Sequence, residues 1–373
     1  MTSPGPGIGS AWPGGRLLVT DTRAPQLDLS AAVGQMQYTF RFELVNGVSG
    51  EHLGDLAPIR GASLTHDTSM TVKRTLNLSL GRADTAAVNA LTDRVLVFMT
   101  IPGAPNPDRP DGDWPLGRYT WADNPRTLST GGRLARPTLN DEMFLIDTEL
   151  TAGVSGIGLP VVTVLTNVLT GLPITFLSDQ SSYLSADSWG IGTTRGQVLE
   201  ALSVAGDYWS PWFDNNGVLR FERTFDPANQ VPDIDFDAGY RVIRSDIVET
   251  DELLTAPNRF VVISNAAANS EEPVVGVADV PVNAPNSIPN IGYVRAKTFN
   301  LQLSDSGQAA AVARGIAERA TAAEQVVLAT PADPRHDGYN VIRWQGFNWL
   351  ELSWSMPLVA GEAMSHVLRR SYS

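Results

Sequence analysis

Four groups of residues have types and spacings that could do chemistry. The first, Gly190-Ile-Gly192-Thr-Thr-Arg-Gly196, is glycine-rich and opens a predicted helix, as a phosphate cradle would. Such a cradle needs an apolar strand immediately before it and a Gly-Lys-Ser/Thr triplet after it. Tyr183–Trp189 is polar and no such triplet follows, so the stretch reads as a plain helix start. Gly5-Pro-Gly7-Ile-Gly9 is weaker, with proline inside it and the terminus beside it. The second group, Asp233-Ile-Asp235-Phe-Asp237-Ala-Gly239, has the alternating carboxylates of a calcium loop. Its sixth position is Ala238 rather than glycine and its twelfth is Arg244 rather than glutamate. Alternation with Ile234 and Phe236 fits a strand edge with a wet acidic face at a domain junction.

The third group is the histidines His52, His66, His336 and His366, none at a metal-binding spacing. His336 beside Asp337 has no Gly-x-Ser-x-Gly elbow to accompany it, and its proline- and aspartate-rich turn predicts a solvated imidazole. The fourth, Asp246, Glu249, Asp251 and Glu252, reads as a solvated acidic face. No catalytic, cofactor-binding or metal-ligating residue is therefore expected. With no cysteine in 373 residues, disulfides, thiolate metal sites and cysteine nucleophiles are excluded.

Bulk composition narrows the partners. Forty acidic against 27 basic residues give a formal net charge of −13, which disfavours specific nucleic-acid or anionic-membrane binding. Met1–Gly15 has neither the basic nor the apolar region of a signal peptide. The most apolar window, Leu159–Leu177, is interrupted by Pro160, Asn167, Gly171 and Pro173 and predicts no membrane span.

The elements that must position these residues are mostly strands. Gln37–Val45 alternates cleanly and ends in the Asn46-Gly47 turn signal. Ser69–Leu80 alternates too, but Arg74 interrupts its apolar face; it predicts either an interface residue or an arginine paired at the end of a core. Arg94–Ile101, Leu116–Trp121 and Met143–Ile146 continue the strand pattern. Two helices follow. One runs from Pro160 to Gly171; the other has a Thr194/Gln197 capping-box spacing, an apolar stripe through Val198, Leu199 and Leu202, and Gly206 as its stop. Tyr208–Glu222 is a hairpin around Asp214-Asn-Asn-Gly217. Later, Asp305–Ala323 carries Ala309, Val312, Ala313 and Ile316 at helical spacing, laid against the strand pair that follows it.

The expected fold is mainly β with α+β insertions. A flexible segment spans residues 1–15, an N-terminal β-barrel domain 16–155 and a small α/β domain 156–237. A second β-barrel-type domain spans 238–373, with the helix at 305–323 and a long proline-rich loop at 268–290.

Three segments, in this order, resemble the tail hub (baseplate hub or minor tail) proteins of long-tailed bacteriophages infecting actinobacteria. They are Trp114-Pro-Leu-Gly-Arg-Tyr-Thr-Trp121 with Asn140–Asp147, then Thr193–Glu222, then Ser287–Gly292 leading to the helix and the Pro331–Gly338 turn. That resemblance implies two β-barrel domains flanking smaller inserted ones, not necessarily contiguous in sequence, since late strands can complete an earlier barrel. It also implies a homotrimer whose six barrels match a six-fold tail tube. It would assemble in the host cytoplasm, sit at the virion's tail tip, and contact the tail tube or distal tail protein, the tape-measure protein and the tail-tip fibre or receptor-binding proteins. No sign of a peptidase or muramidase extension is present. Two rival readings are a carbohydrate-active enzyme on the virion, using Asp/Glu pairs and surface tryptophans such as Trp344, Trp349 and Trp354, and a receptor-binding module.

Overall fold

A computed structural model describes residues 17–18, 38–58, 61–81, 84, 88–123, 126–129, 132–238, 244–248, 256–264, 273–320 and 325–370. Residues 1–15, and Glu249, Asp251 and Glu252 of the expected acidic face, lie outside them.

The chain is mainly β. Seven strands of its first part join one sheet: β1 (Thr39–Asn46), β2 (His52–Leu56), β3 (Ala62–Asp67), β4 (Arg74–Asn77), β5 (Asp93–Thr100), β6 (Trp114–Trp121) and β7 (Thr138–Asn140). Inward positions recur every second residue, as in the strictly alternating β3, and Leu64, Leu76, Val95, Val97, Met99, Tyr119 and Leu139 are fully buried together. Only the second half of Ser69–Leu80 is strand, because Asp67 accepts the Ser69 N–H (2.9 Å) and bends residues 67–73 into a turn. Met143–Ile146 is a one-turn helix, α1, rather than a strand: the Asp141 carboxylate accepts the Met143 N–H at 3.0 Å and starts it.

Next come helix α2 (Val161–Leu169), β8 (Thr175–Ser178), helix α3 (Arg195–Gly206), β9 (Trp212–Phe213) and β10 (Val218–Phe221). The Thr194/Gln197 capping box forms as expected, while the left-handed stop residue is Asp207 (φ 58°), one position beyond Gly206. The faces of α2 and α3 share a core with Phe176, Leu219 and Phe221. In this sheet Leu17–Leu18, β8 and β10 run parallel and β9 pairs antiparallel with β10.

After β11 (Ile234–Asp235) and β12 (Arg244–Val248), a three-stranded sheet forms from β13 (Arg259–Ser264), β14 (Val274–Asp279) and β15 (Ala296–Asn300), with the one-turn helix α4 (Ile288–Ile291) before β15. Helix α5 (Ser306–Ala320) packs on β13 and β14 and buries Ala309, Val312, Ala313 and Ala317. Two expectations change here. The helix rests on strands that precede it, not on the pair that follows. The proline-rich stretch also contains β14, because Pro273, Pro281, Pro285 and Pro289 bracket the strand instead of interrupting it.

The last strands are β16 (Gln325–Pro331), β17 (Val341–Trp344), β18 (Phe347–Leu358) and β19 (Ala363–Arg370). They rejoin the first region: β18 pairs antiparallel with β3, with Trp354 opposite His66 and Met356 opposite Leu64. One sheet of thirteen strands results, in the order β12-β16-β19-β18-β3-β4-β7-β6-β5-β1-β2, with β17 also on β18 and β11 on β17. Among the described residues this path is open, without a pairing between its two ends.

Candidate functional site

The three segments that carry the resemblance meet at Arg74. Strand β4 turns this side chain inward until it is 1% exposed, where an unpaired charge would cost several kcal/mol. Its guanidinium donates to Asn215 Oδ1 at 2.6 Å, pairs with Asp337, and lies 5.7 Å from the centre of the Trp354 ring. Asp337 also accepts the Gly338 N–H (2.8 Å) and the Trp212 indole N–H (3.2 Å). Asn215 donates its side-chain amide to the carbonyls of Pro334 and His336, both at 3.0 Å.

Each partner is fixed by local structure. In the Asp214–Gly217 turn, Asp214 accepts the Asn216 and Val218 N–H groups (2.8 and 2.9 Å) and the Arg220 side chain (2.6 Å). Burial and the neighbouring Asp337 push the Asp214 carboxyl above its ordinary range. Gly217 has φ +74°, and a Cβ there would sit 3.2 Å from that of Arg118 on β6, so the turn presses directly on the first segment. Arg118 in turn reaches the buried Glu142 at 2.9 Å. Asp141 accepts the backbone N–H of Lys73 and Arg74, and burial pushes its carboxyl up to about 6. The Lys73 ammonium crosses to Ser210 Oγ at 2.7 Å.

A cleft of about 290 Å³ opens beside this node, lined by Asn106, Arg109, Trp212, Asp214, Arg335 and Tyr339 among others. Two of its acids are paired, Asp214 with Arg220 and Asp337 with Arg74, and through these pairs the arrangement joins the segments. Of the two readings of Arg74, the paired core arginine is the one observed.

The other groups resolve as follows. The Gly190–Gly196 start already holds an internal anion: Asp147 Oδ1 accepts the Gly196 N–H at 2.9 Å, and a Cβ on Gly196 would fall 2.5 Å from that oxygen. The three carboxylates of Asp233, Asp235 and Asp237 point to separate partners. Asp233 accepts the Val341 N–H, Asp235 those of Asp237 and Ala238, and Asp237 those of Gln345 and Gly346. Asp233 and Asp237 latch β11 to β17 at a junction, and no common centre for a calcium ion is formed by the three.

The histidines depart furthest from expectation. His336 is not solvated; its side chain is fully buried beside Glu351 and His366. The turn Pro331–Asn340 folds under the sheet, so its polar composition reflects internal hydrogen bonds, not exposure. Burial alone would raise the Glu351 carboxyl, but the charge of His336 and hydrogen bonds from both imidazoles outweigh it and hold the group low. Burial, then the charge of His336, lowers His366. His66 is buried as well, stacked on Trp354 with centroids 5.6 Å apart, whereas His52 is exposed. The one sequence signal for the cluster was Glu351, a charge between Leu350 and Leu352 in an otherwise uncharged strand. Trp344, Trp349 and Trp354 are 6%, 2% and 3% exposed, so they do not form the surface sugar-binding platform considered from the sequence.

In sequence the chain matches no known protein family and no curated protein. Its fold is similar to three solved tail proteins. The 43 kDa tail protein of prophage MuSo2 from Shewanella oneidensis aligns over 88% of this chain and 98% of its own, at 12% identity and a TM-score of 0.54. The tail protein from Neisseria meningitidis MC58 aligns over 90% and 97%, at 13% identity and 0.56. Prophage tail protein gp18 from Listeria monocytogenes EGD-e aligns over 88% and 94%, at 8% identity and 0.55.

Proposed function

We propose that this chain is a structural component of a bacteriophage tail, and that it acts as the homotrimeric hub at the tail tip of a phage of actinobacteria. The observation that carries this reading is the shared fold, which runs through nearly the whole of three tail proteins and nearly the whole of this chain. Its order of segments supports the hub assignment in particular.

In this reading two barrel-type regions, residues 16–155 and 238–373, flank the small α/β region 156–237, and three chains close a ring of six such regions on the end of the tail tube. The pairing of β18 with β3 supports late strands completing the sheet begun by early ones. The ring joins the tube or distal tail protein on one side and carries the fibre or receptor-binding proteins on the other. It holds the end of the tape-measure protein until the genome leaves. In this reading the protein works as a structural part and not as an enzyme, and the pairing of Asp337 with Arg74 and of Asp214 with Arg220 at its central junction supports that.

An amber mutation in its gene, with and without complementation, tests the assignment. Tails made without the protein should lack a closed tip and be non-infectious, and complementation should restore tip-located antibody labelling. Infectious particles with normal tips made in its absence would refute it.

A further inference from the structure

Glu351 lies between two imidazoles in the interior, below the junction. Its Oε2 is 2.8 Å from Nδ1 of His336 and its Oε1 is 2.7 Å from Nδ1 of His366, and none of the three side chains is more than 1% exposed. The far ring nitrogens differ. Nε2 of His366 is 2.7 Å from Thr330 Oγ1, and that hydroxyl also lies 3.0 Å from the Pro331 carbonyl oxygen, to which it donates. Nε2 of His336 is buried with no hydrogen-bond partner. Phe236 packs on both rings, 6.2 and 5.7 Å away, and closes the pocket with an apolar wall.

The Thr330 hydroxyl and the His366 tautomer are linked. A threonine hydroxyl has one proton, and given to the Pro331 carbonyl it leaves Nε2–H of His366 as the donor to Thr330. In a neutral imidazole Nδ1 then presents a lone pair toward Glu351, an arrangement that suits a cation held among the three groups, with Thr330 as the outer partner that orients a metal-bound histidine.

We propose that Nδ1 of His336, Nδ1 of His366 and the Glu351 carboxylate form a buried site for one divalent first-row transition-metal ion of the zinc class. Two imidazoles and one carboxylate are a donor set that zinc favours. Tetrahedral bonds of about 2.0–2.1 Å place ligand atoms roughly 3.3 Å apart, and one ligand atom from each of the three groups already lies within 4.8 Å of the others. Among the described residues no further His, Asp or Glu joins the cluster, so water or a small anion fills the remaining position. The ligands come from β18, from β19 and from the turn that carries Asp337. The ion therefore staples that turn to the sheet one residue from the partner of Arg74. Such a site was invisible to motif spacing because its ligands are brought together by the tertiary fold, not by helical periodicity.

The test uses the full chain, dialysed against a chelator and titrated with Co²⁺ and then Zn²⁺. One Co²⁺ per chain should bind, with the visible absorption of nitrogen-ligated tetrahedral cobalt, and Zn²⁺ should displace it and raise the melting temperature. His366→Gln and Glu351→Gln should each weaken binding by roughly 100-fold, and Thr330→Val by roughly tenfold. His52→Gln, in a surface group with Glu43 and Asp55, should leave binding unchanged. Because a buried variant can unfold, the wild-type titration decides by itself. A folded chain that takes up no Co²⁺ at micromolar concentration overturns the site, as does binding lost with His52→Gln but kept with His366→Gln. The three groups would then be a hydrogen-bonded clip that carries protons alone.

Discussion

His66 shows how much a single residue can report. Both its ring nitrogens are buried without hydrogen-bond partners, and it stacks on Trp354 at an interplanar angle of 14°. Burial, then the charges of Arg74 and Lys73, push its pKa well below the ordinary value of 6.5. The folded chain therefore binds fewer protons than the unfolded chain once the pH falls below about 6.5, and the contribution of this residue to stability shrinks as pH drops through that window. His66→Phe keeps the stack and removes the proton. Melting temperatures from pH 7.5 to 5 should fall less steeply in the variant, and an unchanged slope would contradict this account. Arg74 makes the complementary case. Arg74→Ala leaves Asp337 without its cation and should destabilise the chain by about 3–5 kcal/mol in denaturant unfolding. The double variant Arg74→Met with Asp337→Asn should recover much of that loss; strictly additive losses would show that the pair is not coupled. The role of His66 was not legible in the sequence. Arg74 could be read there as a paired core arginine, one of two alternatives, but its partners could not be named, because Asn215 and Asp337 reach it through the tertiary fold.

At the scale of elements, legibility followed locality. The capping box of α3, the Asp214–Gly217 turn and the stripe of α5 depend on residues a few positions apart, so their spacing is printed in the sequence. What α5 rests on is not. Its seat depends on Gly276 of β14, where a Cβ would lie 2.2 Å from the backbone carbon and oxygen of Ala309. No side-chain rearrangement relieves a clash with backbone, so Gly276→Ala should push the helix off its sheet and cost about 1–3 kcal/mol or more. The neighbouring Val277, 51% exposed, should tolerate threonine with a change of about 0.5 kcal/mol or less. Equal losses from the two substitutions in chemical unfolding would refute the close approach. The pairing of β18 with β3 was equally hidden: Thr68 donates to the carbonyl of Leu352 across 284 residues (2.9 Å), and alternation alone names no partner strand.

For the whole molecule, charge and symmetry are what matter. A hub lies on the path taken by the tape-measure protein and then by the genome, where a basic lumen would trap phosphate in a salt-dependent way. With a net charge of −13, the chain can keep its arginines for internal pairs such as Arg74–Asp337, Arg118–Glu142 and Arg220–Asp214. Duplex DNA should therefore bind the assembled protein weakly or not at all at moderate salt. Micromolar binding that persists there in a filter or anisotropy assay would contradict the proposed lumen. The resemblance in sequence pointed to tails and the shared fold agrees with it, but copy number depends on surfaces between chains, which neither alternation nor burial within one chain encodes. Reconstruction of the intact tail tip, without imposed symmetry, tests the central claim most directly. Three copies of this chain around the tail axis, seated on the six-fold tube, is the predicted result; one copy, or six equivalent copies, would contradict it.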